Sequence, residues 1–216
     1  FDPAGPVLLL PGSRKQVVAR IFPVLLEAFR QAGTGHQAVV LYPSEEILAV
    51  LQAASPPANV KLQSIAEGKA TTPLAAETEP ARIRLRQGYD GQDGVRALPV
   101  AASAVLTASG TMSMHCALAG IPGALTYRTD WLTYLLGRLL VKVEYIGIAN
   151  LLLKEAMYPE FIQGAATPAA LAAQLHECLG DAARREKTSA QARRLRKLLH
   201  EPTNGTAAEW LARQLG

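Results

Sequence analysis

Val7-Leu8-Leu9-Leu10-Pro11-Gly12-Ser13-Arg14 is the stretch from which the rest of the chain is read. Four apolar residues in an unbroken run, closed by Pro-Gly, suit a strand buried on both faces, as in a parallel sheet covered by helices on either side. Ser13 is placed to cap a helix that runs through Arg20, kinks at Pro23 and continues to Gln31, where Gly33-Thr34-Gly35 ends it. Ala38-Val39-Val40-Leu41 reads as a second strand, and Ser44-Glu45-Glu46 opens a second helix ending near Ala54. The stretch 55–80, with Pro56, Pro57, Pro73 and Pro80, reads as a loop-rich excursion.

Order returns at Arg82-Ile83-Arg84-Leu85-Arg86, whose alternation has the period of an edge strand. A short helix over 94–102 leads to a strand from Ala104 to Thr107. The turn Ser109-Gly110-Thr111, a helix to Leu118 and a strand over Gly123-Ala124-Leu125-Thr126-Tyr127 follow. Beyond Tyr127 the pattern is mostly helical. Thr167-Pro168 pairs an N-cap with proline at the first helical position, opening a helix to Leu179. A basic helix runs from Asp181 to His200, and Thr206-Ala207-Ala208-Glu209 is a capping box for the last one. Alternating strands and helices predict an α/β fold, a Rossmann-like doubly wound parallel sheet over residues 1–166. The helical tail, 167–216, packs on it or reaches another domain.

Composition narrows the class. With 49% hydrophobic and 19% charged residues in 216, the chain can bury a core and is not disordered. Its net charge of +4 suits an anionic small ligand or a membrane surface and falls short of a nucleic-acid arm. Two cysteines, Cys116 and Cys178, make no disulfide framework and fit a reducing compartment. The start at Phe1, with no leader after it, predicts a trimmed piece of a longer protein. The most apolar segment, Trp131 to Leu153, is cut by Arg138, Lys142 and Glu144 and does not read as a membrane span.

In an open α/β sheet ligands bind beyond the carboxyl ends of the strands. Two strand-to-helix turns there are small and polar: Gly12-Ser13-Arg14 and Ser109-Gly110-Thr111. Each offers backbone N–H groups at a helix start, and Arg14 adds a forked cation; together they suit a diphosphate, or they are ordinary βα turns. The sequence has no P-loop, dinucleotide fingerprint or nucleophile elbow. His115-Cys116 and His176-x-Cys178 lack metal-ligand spacing, so neither a metal nor another cofactor is expected. The run Arg184, Arg185, Lys187, Arg193, Arg194, Arg196, Lys197 has no interleaved aromatics and reads as a solvated helix face, not a nucleic-acid surface. Trp131 to Lys142 is either an interfacial patch or a core helix.

Five stretches in order carry a resemblance: Leu9-Leu10-Pro11-Gly12-Ser13-Arg14, Ala108-Ser109-Gly110-Thr111, Tyr127-Arg128, Ala149-Asn150-Leu151-Leu152 and Pro159-Glu160-Phe161-Ile162-Gln163. Together they resemble the C-terminal half of lipid-A-disaccharide synthase, an inverting glycosyltransferase built from two Rossmann-like domains (GT-B). The resemblance implies a UDP-diacylglucosamine donor, a lipid acceptor (2,3-diacylglucosamine 1-phosphate), release of UDP, and a cytoplasmic, peripheral place on the inner membrane. It implies that Gly12, Ser13 and Arg14 face the diphosphate with Ser109, Gly110 and Thr111 beside it, and that Asn150, Glu160 and Gln163 complete the donor pocket. Arg14 then stabilises the leaving group, and no catalytic base lies in this chain. The base and acceptor site belong to the family's N-terminal domain, so this chain is expected to bind donor without turnover. Homodimers by exchange of C-terminal helices are also implied. His115 stands where the family carries a glutamate for the ribose hydroxyls, and histidine accepts only one hydrogen bond there. That difference keeps open a non-catalytic scaffold, and another UDP-sugar transferase is the further alternative.

Overall fold

The computed structural model describes residues 1–65, 101–129 and 144–200, the side chain of His200 excepted. The strand expected at Arg82–Arg86, nearly all of the helix over 94–102, the Trp131 to Lys142 patch and the helix from Thr206 lie outside these residues.

Six strands form one parallel sheet: β1 (Val7–Leu10), β2 (Ala38–Tyr42), β3 (Val60–Ser64), β4 (Ala104–Ala108), β5 (Gly123–Tyr127) and β6 (Glu160–Ile162). Their spatial order is β3-β2-β1-β4-β5-β6, the Rossmann order. Val7 pairs with Ala38 on one side and Ala104 on the other, and Leu125 pairs with Glu160 at the far edge. The described helices are α1 (Lys15–Ala32), α2 (Glu45–Ala53), α3 (Thr111–Leu118), α4 (Ile148–Leu153), α5 (Pro168–Gly180) and α6 (Ala182–His200).

The two-faced core follows from the topology. Right-handed crossovers travelling from β1 to β3 put α1 and α2 on one face; travelling back from β4 to β6 they put α3 and α4 on the other. Side chains alternate along each strand, so Val7 and Leu9 pack under Val18, Phe22 and Leu25 of α1, while Leu8 and Leu10 meet Cys116 and Ala117 of α3. That is why β1, β2 and β4 are buried throughout rather than alternating. The C-terminal helices close both layers: Leu171 and Leu175 of α5 join the α1 face, and Ala192 and Leu195 of α6 join the α3 face.

Several sequence expectations are corrected. Within the stretch read as loop, Val60–Ser64 is the edge strand β3; Pro56 and Pro57 just before it mask the signal. Glu160–Ile162 is a strand in a region read as helical, and three residues are too few to show a period. Arg14, not Ser13, is the N-cap of α1. As expected, helix α1 continues through Pro23 and past Gln31; the Pro23 ring sits exposed, and neighbouring Ala19, at the position whose carbonyl loses its helical donor, is also exposed. The basic run is only partly a solvated face. Arg184 is buried and its Nη2 donates to the carbonyls of Gly123 (3.1 Å) and Met157 (3.0 Å). Arg185 donates to the Leu179 carbonyl, and Arg196 to that of Leu118.

Both thiols are core groups. Burial pushes Cys116 up to about 12 and Cys178 up to about 11, so each stays protonated at neutral pH. Among the described residues no group of His, Cys, Asp or Glu is placed to hold a metal ion.

Candidate functional site

The strand order reverses between β1 and β4, so the carboxyl ends of these two strands open into one crevice. From β1 the chain turns through Gly12, whose φ of +108° is a conformation that L side chains rarely adopt. A Cβ there would stand 3.5 Å from Val17 Cγ1, ordinary contact, so backbone geometry rather than space requires glycine. Arg14 follows in extended conformation as N-cap, making no side-chain capping bond. The amide of Val18 bonds the Arg14 carbonyl at 2.9 Å. The preceding first-turn amides, at Lys15, Gln16 and Val17, have no carbonyl within the helix to meet.

The exit from β4 repeats the design. Gly110 is the N-cap of α3, again without a side-chain cap, and the Ser113 hydroxyl bonds the Gly110 carbonyl at 2.6 Å to tighten the turn. Neither helix has an acidic residue in its first turn. Two positive helix ends, uncompensated by carboxylates of their own, therefore converge at the switch point.

Between them lies a cleft of about 380 Å³ walled by Arg14, Lys15, Gln16, Val17, Arg20, Ser109, Tyr127 and Arg128. It continues into a second lobe lined by Arg20, Arg128, Thr129, Gln163 and Gly164. Among the described residues lining both lobes, none carries a carboxylate. Lys15 has an exposed ion pair with Glu46 at 3.6 Å. Arg128 is steadied by a 2.7 Å bond from its Nη2 to the Ala166 carbonyl.

The floor of the second lobe is a reciprocal clamp. The Thr129 amide donates to Gln163 Oε1, and Gln163 Nε2 donates back to the Thr129 carbonyl, both at 3.0 Å. Gln163 holds a positive φ of +52°, a strained setting for a non-glycine residue that the clamp helps to fix.

Beside the cleft stands a polar hub. The Glu160 carboxylate accepts from the amides of Ile146 (2.9 Å) and Gly147 (2.9 Å) and from Asn150 Nδ2 (2.8 Å). Asn150 is 1% exposed, and its Oδ1 accepts from the Met157 and Tyr158 amides while its Nδ2 also donates to the Tyr158 carbonyl. A Cβ on Gly147 would fall 2.8 Å from Leu125 Cδ1 and 3.2 Å from Glu160 Oε1, so a larger residue there would have to push both side chains aside. The loop then offers the Ile146 carbonyl to the Ser109 hydroxyl at 3.5 Å, linking hub to cleft wall.

Of the residues singled out in the sequence, Arg14 and Ser109 line the main cleft and Gln163 lines its second lobe. Gly12, Ser13, Gly110 and Thr111 form the turns that lead to it. Asn150 and Glu160 do not line it; they are joined to it through the 146–147 loop. His115 is half-buried toward the end of α3 and is not among the lining residues. Sequence reading missed Arg20 and Arg128 as site residues. Arg128 had a usable signal, because it follows a strand that exits at the same sheet edge; Arg20 had none beyond its charge.

A family model described as lipid-A-disaccharide synthetase (LpxB) matches residues 82–215. The chain is 34% identical to the lipid-A-disaccharide synthase of Syntrophus aciditrophicus over 91% of its length and 45% of that protein. It is 33% identical to that of Geobacter sulfurreducens over 88% of its length and 44% of the relative. The chain thus spans about half the length of the curated relatives it matches. Among solved structures, the calicheamicin glycosyltransferase CalG4 superposes with a TM-score of 0.52 at 18% identity, covering 91% of this chain and 39% of that one, a likeness of fold.

Proposed function

The chain belongs to the lipid-A-disaccharide synthase family, and on that premise we propose that it is the UDP-sugar-binding part of a glycosyltransferase of lipid A biosynthesis. The observation that carries this reading is the pair of uncapped, acid-free helix starts facing one arginine-lined cleft at the switch point. The donor is UDP-2,3-diacylglucosamine, the acceptor 2,3-diacylglucosamine 1-phosphate, and UDP leaves. The diphosphate lies against the Gly12-Ser13-Arg14 and Ser109-Gly110-Thr111 turns. As the glycosidic bond breaks, negative charge grows on the departing diphosphate, and the Arg14 guanidinium and the amides of both helix starts offset it. Their alignment precedes the reaction, so little reorganisation opposes the step.

Gln163 borders the sugar end of the cleft. Asn150 and Glu160 act as positioning residues, holding the 146–147 loop against Ser109, since every polar atom of the Asn150 side chain is engaged within the hub. The acceptor reaches this site through the family's other half. No helix among the described residues is long and apolar enough to cross a membrane. A peripheral place on the cytoplasmic face of the inner membrane is supported by Ile148, Leu151 and Leu152, exposed together on α4 beside Lys154.

Isothermal titration with UDP, uridine as control, tests the reading. Micromolar UDP binding is expected, with Arg14→Ala weakening UDP by about tenfold or more and uridine little, because a lost charge-assisted bond to phosphate costs about 1.5–3 kcal/mol. Equal losses for both ligands would remove Arg14 from the phosphates. One residue favours a second reading, a nucleotide-binding scaffold: His115, in place of the family's ribose-binding glutamate. A large gain in UDP affinity in His115→Glu would mark a decayed enzyme site; no gain would leave the transferase reading standing.

A further inference from the structure

Lys15 stands in the wall of the first lobe next to Arg14, yet its charge is engaged outside the cleft. Its Nζ lies 3.6 Å from Glu46 Oε1, and Glu46 lines neither lobe. Helices α1 and α2 follow the neighbouring strands β1 and β2, so the pair joins two helix starts at the same sheet edge. The two side chains are 64% and 67% exposed. An ion pair so open to water adds little, because water screens both charges and two long chains give up rotamer freedom to hold it. Glu46 has a second source of stabilisation in the first turn of α2, where the positive helix end favours a carboxylate with or without Lys15.

We propose that Lys15 is a further phosphate-binding residue of the first lobe, held on Glu46 while the lobe is empty and transferred to a diphosphate when one enters. The lysine stem is flexible and its ammonium is a point charge that demands no planar fork, so the charge swings across without moving α1. A diphosphate presents more negative charge than the single carboxylate of Glu46, so the exchange runs toward the ligand. The pair must open first, and Glu46 therefore weakens diphosphate binding through Lys15. Arg14 supplies a cation on the lobe itself, whereas Lys15 supplies one whose position depends on the ligand. This inference rests on the reading that a diphosphate lies in the first lobe; the nucleoside attached to it does not enter.

The test is titration with UDP and with inorganic pyrophosphate, uridine as control, of the chain and its Lys15→Met, Glu46→Gln and doubly substituted variants. Both residues are exposed, so neither substitution disturbs the core. Lys15→Met is expected to weaken UDP and pyrophosphate by about fivefold and to leave uridine unchanged. Glu46→Gln is expected to tighten both phosphate ligands by about twofold, the scale of an exposed pair that no longer has to open. In the double variant that gain is expected to vanish, leaving the affinity of Lys15→Met alone, as for two residues coupled to each other. Unchanged UDP and pyrophosphate affinity in Lys15→Met would overturn the inference and leave the donor reading in place. A gain from Glu46→Gln that survives without Lys15 would also overturn it, since Glu46 would then repel the ligand directly. A chain that binds pyrophosphate with the expected pattern but no UDP keeps the inference and removes the donor reading; one that binds neither removes both.

Discussion

Asn150 and Glu160 share one bond of 2.8 Å between an amide donor and a carboxylate, and its direction cannot be reversed cheaply. Asn150→Asp sets a second carboxylate against the first in a buried place. A loss of about 3–5 kcal/mol is expected in urea unfolding, the scale of an uncompensated buried charge. Gly12 makes a different demand. Gly12→Ala forces a Cβ into a backbone region costing about 1–3 kcal/mol, and relief of that strain moves the amides at the start of α1. Weakened UDP binding with a modest drop in stability is the expected pair of results; unchanged UDP affinity would show that the turn adapts. Glycine at 12 and the Ser-Arg pair after it are legible in the sequence. The engagement of Asn150 with the amides of Met157 and Tyr158 is not, since those are backbone groups and nothing in their residue types announces them.

At the level of elements, the termini of α5 and α6 make separable contributions. The Thr167 hydroxyl accepts from the Ala170 amide at 3.2 Å, so Thr167→Ala should cost about 1 kcal/mol and leave ligand binding alone. Arg184 ties α6 to β5 and to the segment entering β6 through the carbonyls of Gly123 and Met157, with Glu177 at 3.6 Å from its guanidinium. Arg184→Met removes two charge-assisted bonds and leaves two buried carbonyls unmet. An expected loss of about 3 kcal/mol or more is readable by thermal or urea unfolding; a change within experimental error would place Arg184 back on the solvated face. Thr167-Pro168 declares its helix start in the sequence because a cap is a local device. Arg184 looks like its neighbours in the basic run, and only the packing of α6 on the sheet separates it from Arg193 and Lys197, which stay exposed.

For the molecule as a whole, the buried acids set the alkaline limit. Burial raises Cys116 from 9.0 to about 12 and Cys178 from 9.0 to about 11, and lifts the Tyr158 hydroxyl well above 10.0. Folded protein thus keeps protons that unfolded chain releases, so stability is full below pH 9 and falls by about 1.4 kcal/mol per pH unit for each thiol as pH rises, up to about 11 for Cys178 and about 12 for Cys116. Urea midpoints at pH 8 and pH 10.5 should differ accordingly, and thiol reagents should label native protein slowly at both. A flat profile would mean that neither thiol is buried. The sequence by itself determined the βα units at β1, β4 and β5, the caps at Thr167-Pro168, the two polar turns and the family resemblance. Each of these is written in residues close along the chain, where apolar runs, turn residues and helix starts act locally. Only the tertiary structure decided β3 and β6, the hub around Glu160 and the placing of Arg20 and Arg128 along one cleft. Short edge strands carry too little pattern of their own, and a guanidinium finds its role from groups such as the Gly123 carbonyl, 61 residues from Arg184, that the sheet brings beside it.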